Sequence, residues 1–399
     1  MSLNRIAFVD FDGRVNTISP DGTDQRVLTG KRRIFQFPAW SPINEQIAAV
    51  GNNDNGGGLY VISDQQQQTL VTPELYFSHN QFPFYQYWSP DGQSVSFLTT
   101  HPLGFGLRIA YLTGKNYLLM TGQPLFWTWG NEPKKLFVHS GEPDSDARLA
   151  FIGTDGDGFG ENIARPGFFQ TPGISKNGRF MAFAELDSFG KRHLVVEDIL
   201  EKDAQRFNQK GMMALTWNPS LSLLATISTD TVDQRPYGPL NIIDPVQKQT
   251  KTVINKNVLA FFWSPDGQKI AYLLLPSVIK SDEQTSGYQP TKGMYTNGVV
   301  PFTLSMPTEE PHLAVELRVF DLKKNEDRFL MKCSPPTTFL NQYLPFFDQY
   351  ALSHRLWSPD SQHIVLPHLQ EETAVLQISS LDGQLQTVVE GLMPSWSHF

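Results

Sequence analysis

Cysteine is almost missing from this sequence. Cys333 is the single one in 399 residues, which excludes an intramolecular disulfide and any thiolate metal cluster. Without an evident activating His–Asn set it reads as an inert, buried thiol. No stretch of 18 apolar residues occurs, and Met1-Ser-Leu-Asn-Arg-Ile-Ala-Phe-Val-Asp10 enters strand pattern without a basic-then-apolar leader. Neither a membrane-inserted segment nor a signal peptide is therefore expected. As written the chain reads as cytoplasmic, or as periplasmic or extracellular if a leader was removed. Positive charge is also scarce, with 32 Lys and Arg against 40 Asp and Glu and a net charge of -8. That balance lacks the basic footprint needed for nucleic acid. The densest basic cluster, Lys31-Arg32-Arg33, reads as a solvated loop.

Catalytic signatures are missing too. There is no Gly-x-Ser-x-Gly elbow and no glycine-rich phosphate loop, and Gly56-Gly-Gly reads as a hairpin turn. The nine histidines are scattered, none at His-x-x-x-His spacing. Asp155-Gly-Asp157-Gly-Phe-Gly-Glu161 has the outline of a calcium loop but lacks its third ligand position and the downstream bidentate glutamate, so it reads as a turn.

What is present is a repeat. Trp40-Ser-Pro, Trp88-Ser-Pro-Asp-Gly, Trp127-Thr-Trp, Ile174-Ser-Lys-Asn-Gly, Trp217-Asn-Pro, Trp263-Ser-Pro-Asp-Gly, Trp357-Ser-Pro-Asp-Ser and a terminal Trp396-Ser fall on one pattern. Their spacings are 48, 39, 47, 43, 46, 94 and 39 residues. An apolar strand stops at Ser-Pro, where proline removes a ladder donor; Asp-Gly completes the turn and a second strand returns. A third and fourth strand recur, as in Leu59-Tyr-Val-Ile then Gln68-Thr-Leu-Val, and Leu317-Arg-Val-Phe then Asp327-Arg-Phe-Leu. Four strands per repeat make a propeller blade. Residues 5–30 supply second, third and fourth strands, and residues 392–399 supply the missing first. The expected fold is all-β: one eight-bladed β-propeller domain over residues 1–399, its ring closed by the two termini. Seven blades is the alternative, if the unit at Ile174, which lacks the tryptophan, is not one.

Trp-Ser-Pro-Asp-Gly followed by Ile-Ala-Tyr, together with Ser19-Pro-Asp-Gly-Thr-Asp-Gln-Arg-Val-Leu-Thr29, resembles the TolB-type propeller repeat. That repeat also builds the propellers of prolyl-oligopeptidase-family enzymes. The resemblance spans the chain, but its residues build turns and packing, so it implies fold rather than function. No α/β hydrolase segment follows, so that family's peptidase activity is not implied.

Strand order sorts the loops into two faces. First-to-second and third-to-fourth turns are short and polar. Second-to-third loops and inter-blade connections are long and aromatic. On the second face lie residues 72–87 (His79, Phe82, Phe84, Tyr85) and 100–106 (His101, Phe105). Two insertions also belong there: 276–314, with Tyr288 and Tyr295, and 334–354, with Phe339, Tyr343, Phe346, Phe347, Asp348, Tyr350 and His354. Long aromatic insertions without strand pattern are expected to bind, so these residues form the expected contact surface for a protein or peptide partner. The bland alternative has them fold over the channel mouth and pack on one another. The functional alternative is a lactonase- or lyase-like propeller with a small-molecule site at that mouth. His79, His101 and His354 could converge there, and a divalent cation in the channel is the only cofactor it would call for; otherwise none is expected.

Overall fold

The computed structural model describes residues 3–64, 74–130, 134–141, 147–155, 159–168, 170–230, 237–276 and 313–399. Each full repeat begins with the same local chemistry. The Ser89 hydroxyl accepts the Ser94 N–H at 3.0 Å and donates to Asp91 at 2.6 Å, while Asp91 accepts the Gln93 N–H at 3.1 Å. Ser264–Asp266 and Ser358–Asp360 repeat the arrangement. The turn needs one left-handed residue, supplied by Gly92 (φ 62°) and Gly267 (φ 69°), and by Ser361 (φ 59°) where glycine is missing. A Cβ on Gly267 would also lie 2.3 Å from the Asn218 side chain of the preceding unit, so this turn doubles as an inter-unit contact.

Antiparallel pairing sorts the strands into units, named here by their first, innermost strand. Unit 1 runs Leu392–Trp396, Ile6–Val9, Val15–Ile18 and Arg26–Val27, joining both ends of the chain in one sheet. Units 2 to 5 are four-stranded sheets that open with Ile34–Trp40, Pro83–Trp88, Leu125–Trp129 and Gly173–Ile174. Units 6 and 7 share a seven-stranded sheet, because Gln249–Trp263 pairs with Gly238–Asp244 through its first half and with Lys269–Leu274 through its second. Unit 6 opens with Met213–Trp217. In unit 8 a bridge from Trp357 to Ile364 stands in for the first strand.

The repeat tryptophans tie each unit to the one before. Trp88 donates its indole N–H to Ala39 O at 2.9 Å, Trp263 to Thr216 O at 3.2 Å, and Trp357 to Phe262 O at 3.0 Å. In each case the acceptor directly precedes the neighbour's own repeat residue. Trp40 closes the ring with Ser395 O at 3.0 Å. This ladder corrects one register: the repeat tryptophan of unit 4 is Trp129, whose indole reaches Tyr87 O, and not Trp127 two residues earlier. Trp127 faces the preceding unit's Ser96 hydroxyl instead, at 2.9 Å. Because the unit at Ile174 carries no tryptophan, it gives no indole bond to unit 4.

Three loop assignments also change. The strand Glu74–Ser78 pairs with Gly56–Ser63 in unit 2, while residues 68–71, expected as its fourth strand, lie outside the described residues together with 65–67, 72 and 73. Residues 83–88 form the first strand of unit 3, and 100–106 is a two-residue hairpin turn between strands ending at His101 and starting at Gly104. Aromatic and β-branched residues suit a pleated, half-buried surface, so runs that resembled aromatic loops are strands. Gly56-Gly-Gly opens the strand Gly56–Ser63 just after its turn rather than forming the turn.

Candidate functional site

Residues 334–354 do not stand out from the ring as an open loop. They fold inward as a π turn (Phe339–Tyr343), a 3-10 turn (Leu344–Phe346) and a short helix, α1 (Phe347–Ser353). Helix α1 touches the first strands of units 3, 4, 6 and 7, so this strap lies across the mouth of the channel. Helical backbone satisfies its own polar groups, which is why a buried strap adopts it.

Gln349 holds the strap in place. Its amide accepts the Trp127 N–H at 3.0 Å and donates to the Trp127 carbonyl at 2.9 Å. Innermost strands are edge strands, with backbone groups left facing the channel, and the glutamine amide supplies the partner that no further strand provides. Gln349 Nε2 also donates to Tyr85 Oη at 3.1 Å, and Tyr85 returns a bond to the Gln349 carbonyl at 2.8 Å. At the far end of α1, His354 Nε2 lies 3.0 Å from the Phe37 carbonyl, which can only accept, so this nitrogen carries the proton. His354 Nδ1 then accepts the Ser353 hydroxyl at 2.7 Å. Burial pulls the His354 pKa down to about 4, so the ring is neutral at physiological pH.

An aromatic column fills the space between these bonds. Phe339 stacks on Tyr343 at 4.9 Å and Tyr343 on Tyr350 at 5.0 Å; Tyr350 meets Tyr85 edge-on at 5.0 Å. Phe347 packs edge-on against Phe261 at 5.3 Å, and Phe346 against Phe126 at 5.8 Å. A cavity between strap and ring, lined by Phe37, Phe339, His354 and Met393 among others, measures about 10 Å³, room for one water at most. Asp348 is buried beside Thr171, and burial raises its pKa to about 6 although Thr171 and the Gln349 N–H both favour the charged form.

The expected contact residues thus divide into two sets. Tyr85, Phe339, Tyr343, Phe347, Asp348, Tyr350 and His354 are buried between strap and channel wall, and Phe346 is half-buried there. A partner approaching this face does not meet the buried set, because their surface is already spent on one another. His79, Phe82, Phe84, His101 and Phe105 remain at the rim. His79 is exposed beside the Asn55 carbonyl and Phe77, His101 accepts the Leu103 N–H at 3.1 Å, and Phe84 meets Phe105 edge-on at 5.1 Å. Tyr288 and Tyr295 lie outside the described residues. The three histidines have separate partners, and among the described residues no group of three His, Cys, Asp or Glu is placed to hold a metal ion.

Sequence reasoning missed Gln349, Ser353 and Phe37, which carry no periodicity or motif. It also missed Leu103 and Phe189, which sit 73% and 87% exposed on second-to-third hairpins of units 3 and 5. A large apolar residue at the tip of a polar hairpin was the available signal. On the opposite, short-turn side a groove of about 620 Å³ separates units 7 and 8, lined by charges of both signs such as Lys269, Asp321, Lys324, Glu326, Arg328 and Asp382. Several of these are already engaged: Arg328 donates to Leu381 O at 2.8 Å and Lys269 pairs with Asp266 at 3.2 Å.

No protein-family model matches this sequence, and no curated protein matches it. Among solved structures, a prolyl endopeptidase aligns at a TM-score of 0.54 and 10% identity, over 90% of this chain and 50% of that one. TolB from Acinetobacter baumannii aligns at 0.43 and 14% identity, over 98% of this chain and 66% of that one. The propeller domain of the trilobed protease from Pyrococcus furiosus aligns at 0.46 and 11%, over 91% and 97%. This chain therefore spans half the length of the prolyl endopeptidase. Likeness at such identities concerns the fold alone, and the prolyl endopeptidase match agrees with the all-β propeller described above.

Proposed function

We propose that this chain is a non-catalytic interaction module that engages a protein or peptide partner through the face carrying the strap. The contact surface in this reading is the rim of hairpins around the closed mouth, not the channel. One observation carries it. The strap fills the mouth with groups that satisfy one another, while Leu103 and Phe189 project into solvent from hairpins on the same face. Exposed apolar anchors beside aromatic side chains are suited to hot-spot contacts. Chemistry at this mouth would instead need reactive groups open to substrate, and the carboxyl and imidazole there, Asp348 and His354, are sealed within the strap's own packing.

Photo-crosslinking side chains placed at positions 103 and 189 in the native host are expected to capture one discrete partner. Leu103→Asp and Phe189→Asp are each expected to weaken its binding at least tenfold with the melting temperature unchanged, since both side chains are exposed. Binding untouched by either change would refute the rim surface. Substrate turnover abolished by Asp348→Asn or His354→Gln, with rim variants active, would favour the enzyme reading.

A further inference from the structure

Arg355 directly follows the strap and begins the innermost segment of unit 8. Its carbonyl accepts the Trp396 N–H at 2.7 Å, which fixes it against the first strand of unit 1. Its guanidinium reaches the His398 carbonyl, with Nη1 donating at 3.1 Å. The His398 ring in turn bonds to the backbone of Trp40, the last residue of the first strand of unit 2. Arg355 and His398 therefore meet where units 8, 1 and 2 join. They lie toward the ends of the first strands that carry the Ser-Pro-Asp-Gly turns, away from the mouth that the strap closes.

The charge there is unanswered. Arg5, Arg14, Arg26, Arg179, Arg206 and Arg318 each have a carboxylate within 3 Å. Arg355 forms no ion pair among the described residues, and burial lowers its pKa to about 10, so it stays charged at neutral pH. His398 is held neutral by burial and by the neighbouring guanidinium, with its pKa lowered to about 3, and adds no counter-charge. The guanidinium is only partly buried, and among the described residues one of its five N–H donors has a protein acceptor, which leaves the others open to an incoming ligand. Carboxylate and phosphate oxygens match the remaining fork.

We propose that Arg355 anchors an oxyanion site at the junction of units 8, 1 and 2, taking a carboxylate or phosphate group that approaches from the short-turn side. A single guanidinium gives modest affinity, in the millimolar range for a free ion. Phosphate also stabilises folded chains generally by exclusion from their surface, so the part of the gain that depends on Arg355 reports this site.

The test compares melting temperatures in inorganic phosphate, in acetate and in chloride at equal ionic strength. Wild-type protein is expected to gain about 1–2 °C more in phosphate over chloride than Arg355→Met does. A like gain in acetate assigns the site to oxyanions in general, and a gain in phosphate alone to phosphate groups. Equal gains in wild type and R355M, or no gain in wild type, would overturn the proposal. Arg355→Lys, which keeps the charge, covers the case in which R355M does not fold. It is expected to bind phosphate at least fivefold more weakly by calorimetric titration, and equal affinity would overturn the proposal.

Discussion

Replacing Gln349 by alanine is expected to destabilise the docked strap by about 3 kcal/mol. Among the described residues the glutamine amide is the one partner that the Trp127 N–H and carbonyl have toward the channel, and all three groups are buried. Removing it leaves a buried donor and a buried acceptor unsatisfied, each worth about 1–3 kcal/mol, and takes one bond from Tyr85. Gln349→Met keeps the volume and removes the bonds, so it separates polar loss from cavity formation; its cost should come close to that of alanine. Gln349→Glu can accept the Trp127 N–H but cannot donate to the carbonyl, and should be no better. Urea unfolding followed by tryptophan fluorescence measures all three. A loss below about 0.5 kcal/mol in the alanine variant would show that the amide does not hold the strap.

Asp348→Asn is expected to act in the opposite direction, and only above a certain pH. The carboxyl pKa is raised from 3.8 to about 6, chiefly by burial. A raised acid pKa means that the folded state holds the proton more tightly than the unfolded chain. The native state is thus favoured at low pH, loses stability as pH rises from about 4 to about 6, and carries the full cost above that. The shift corresponds to about 3 kcal/mol. Asparagine removes the ionisation, so the variant should be more stable than wild type by roughly 2 kcal/mol at pH 8 and indistinguishable from it at pH 4. His139 and His354, with pKa values lowered to about 4, and His398, lowered to about 3, pull the other way. Each keeps its stabilising contribution above about pH 6.5 and loses it as pH falls through the lowered value. Because these histidines are common to both proteins, the difference between the two stability–pH curves isolates Asp348. A difference curve flat from pH 4 to 8 would contradict the buried placement of this carboxyl.

Much of the fold could be read from the sequence because the residues that specify it act locally and recur. Ser89, Asp91 and Gly92 make one turn by hydrogen bonds within six residues, and Ser264, Asp266 and Gly267 repeat it. The errors arose where one local cue admitted two readings. Trp127-Thr-Trp129 offers two tryptophans on the same side of a strand, and only the indole bond to Tyr87 O, made in three dimensions, tells which one continues the ladder. The run from Tyr76 to Tyr87 is aromatic enough for a loop surface, yet aromatic residues also suit strands. Loop placement on the strap face followed from strand order, but the inward course of residues 334–354 did not. Its determinants are a glutamine reaching Trp127 and a histidine reaching Phe37, bonds across more than 200 residues for which no local pattern exists. The same holds for Arg355, whose interest lies in what fails to surround it.

The central claim is that residues 339–354 close one mouth of the ring as part of the native packing. Hydrogen exchange of the intact chain, read by mass spectrometry at neutral pH, tests it most directly. Peptides covering 347–354 are expected to be protected for hours, comparably to the innermost strands at 83–88 and 125–129. Complete exchange of those peptides within seconds, while the inner strands stay protected, would show an open channel and contradict the account.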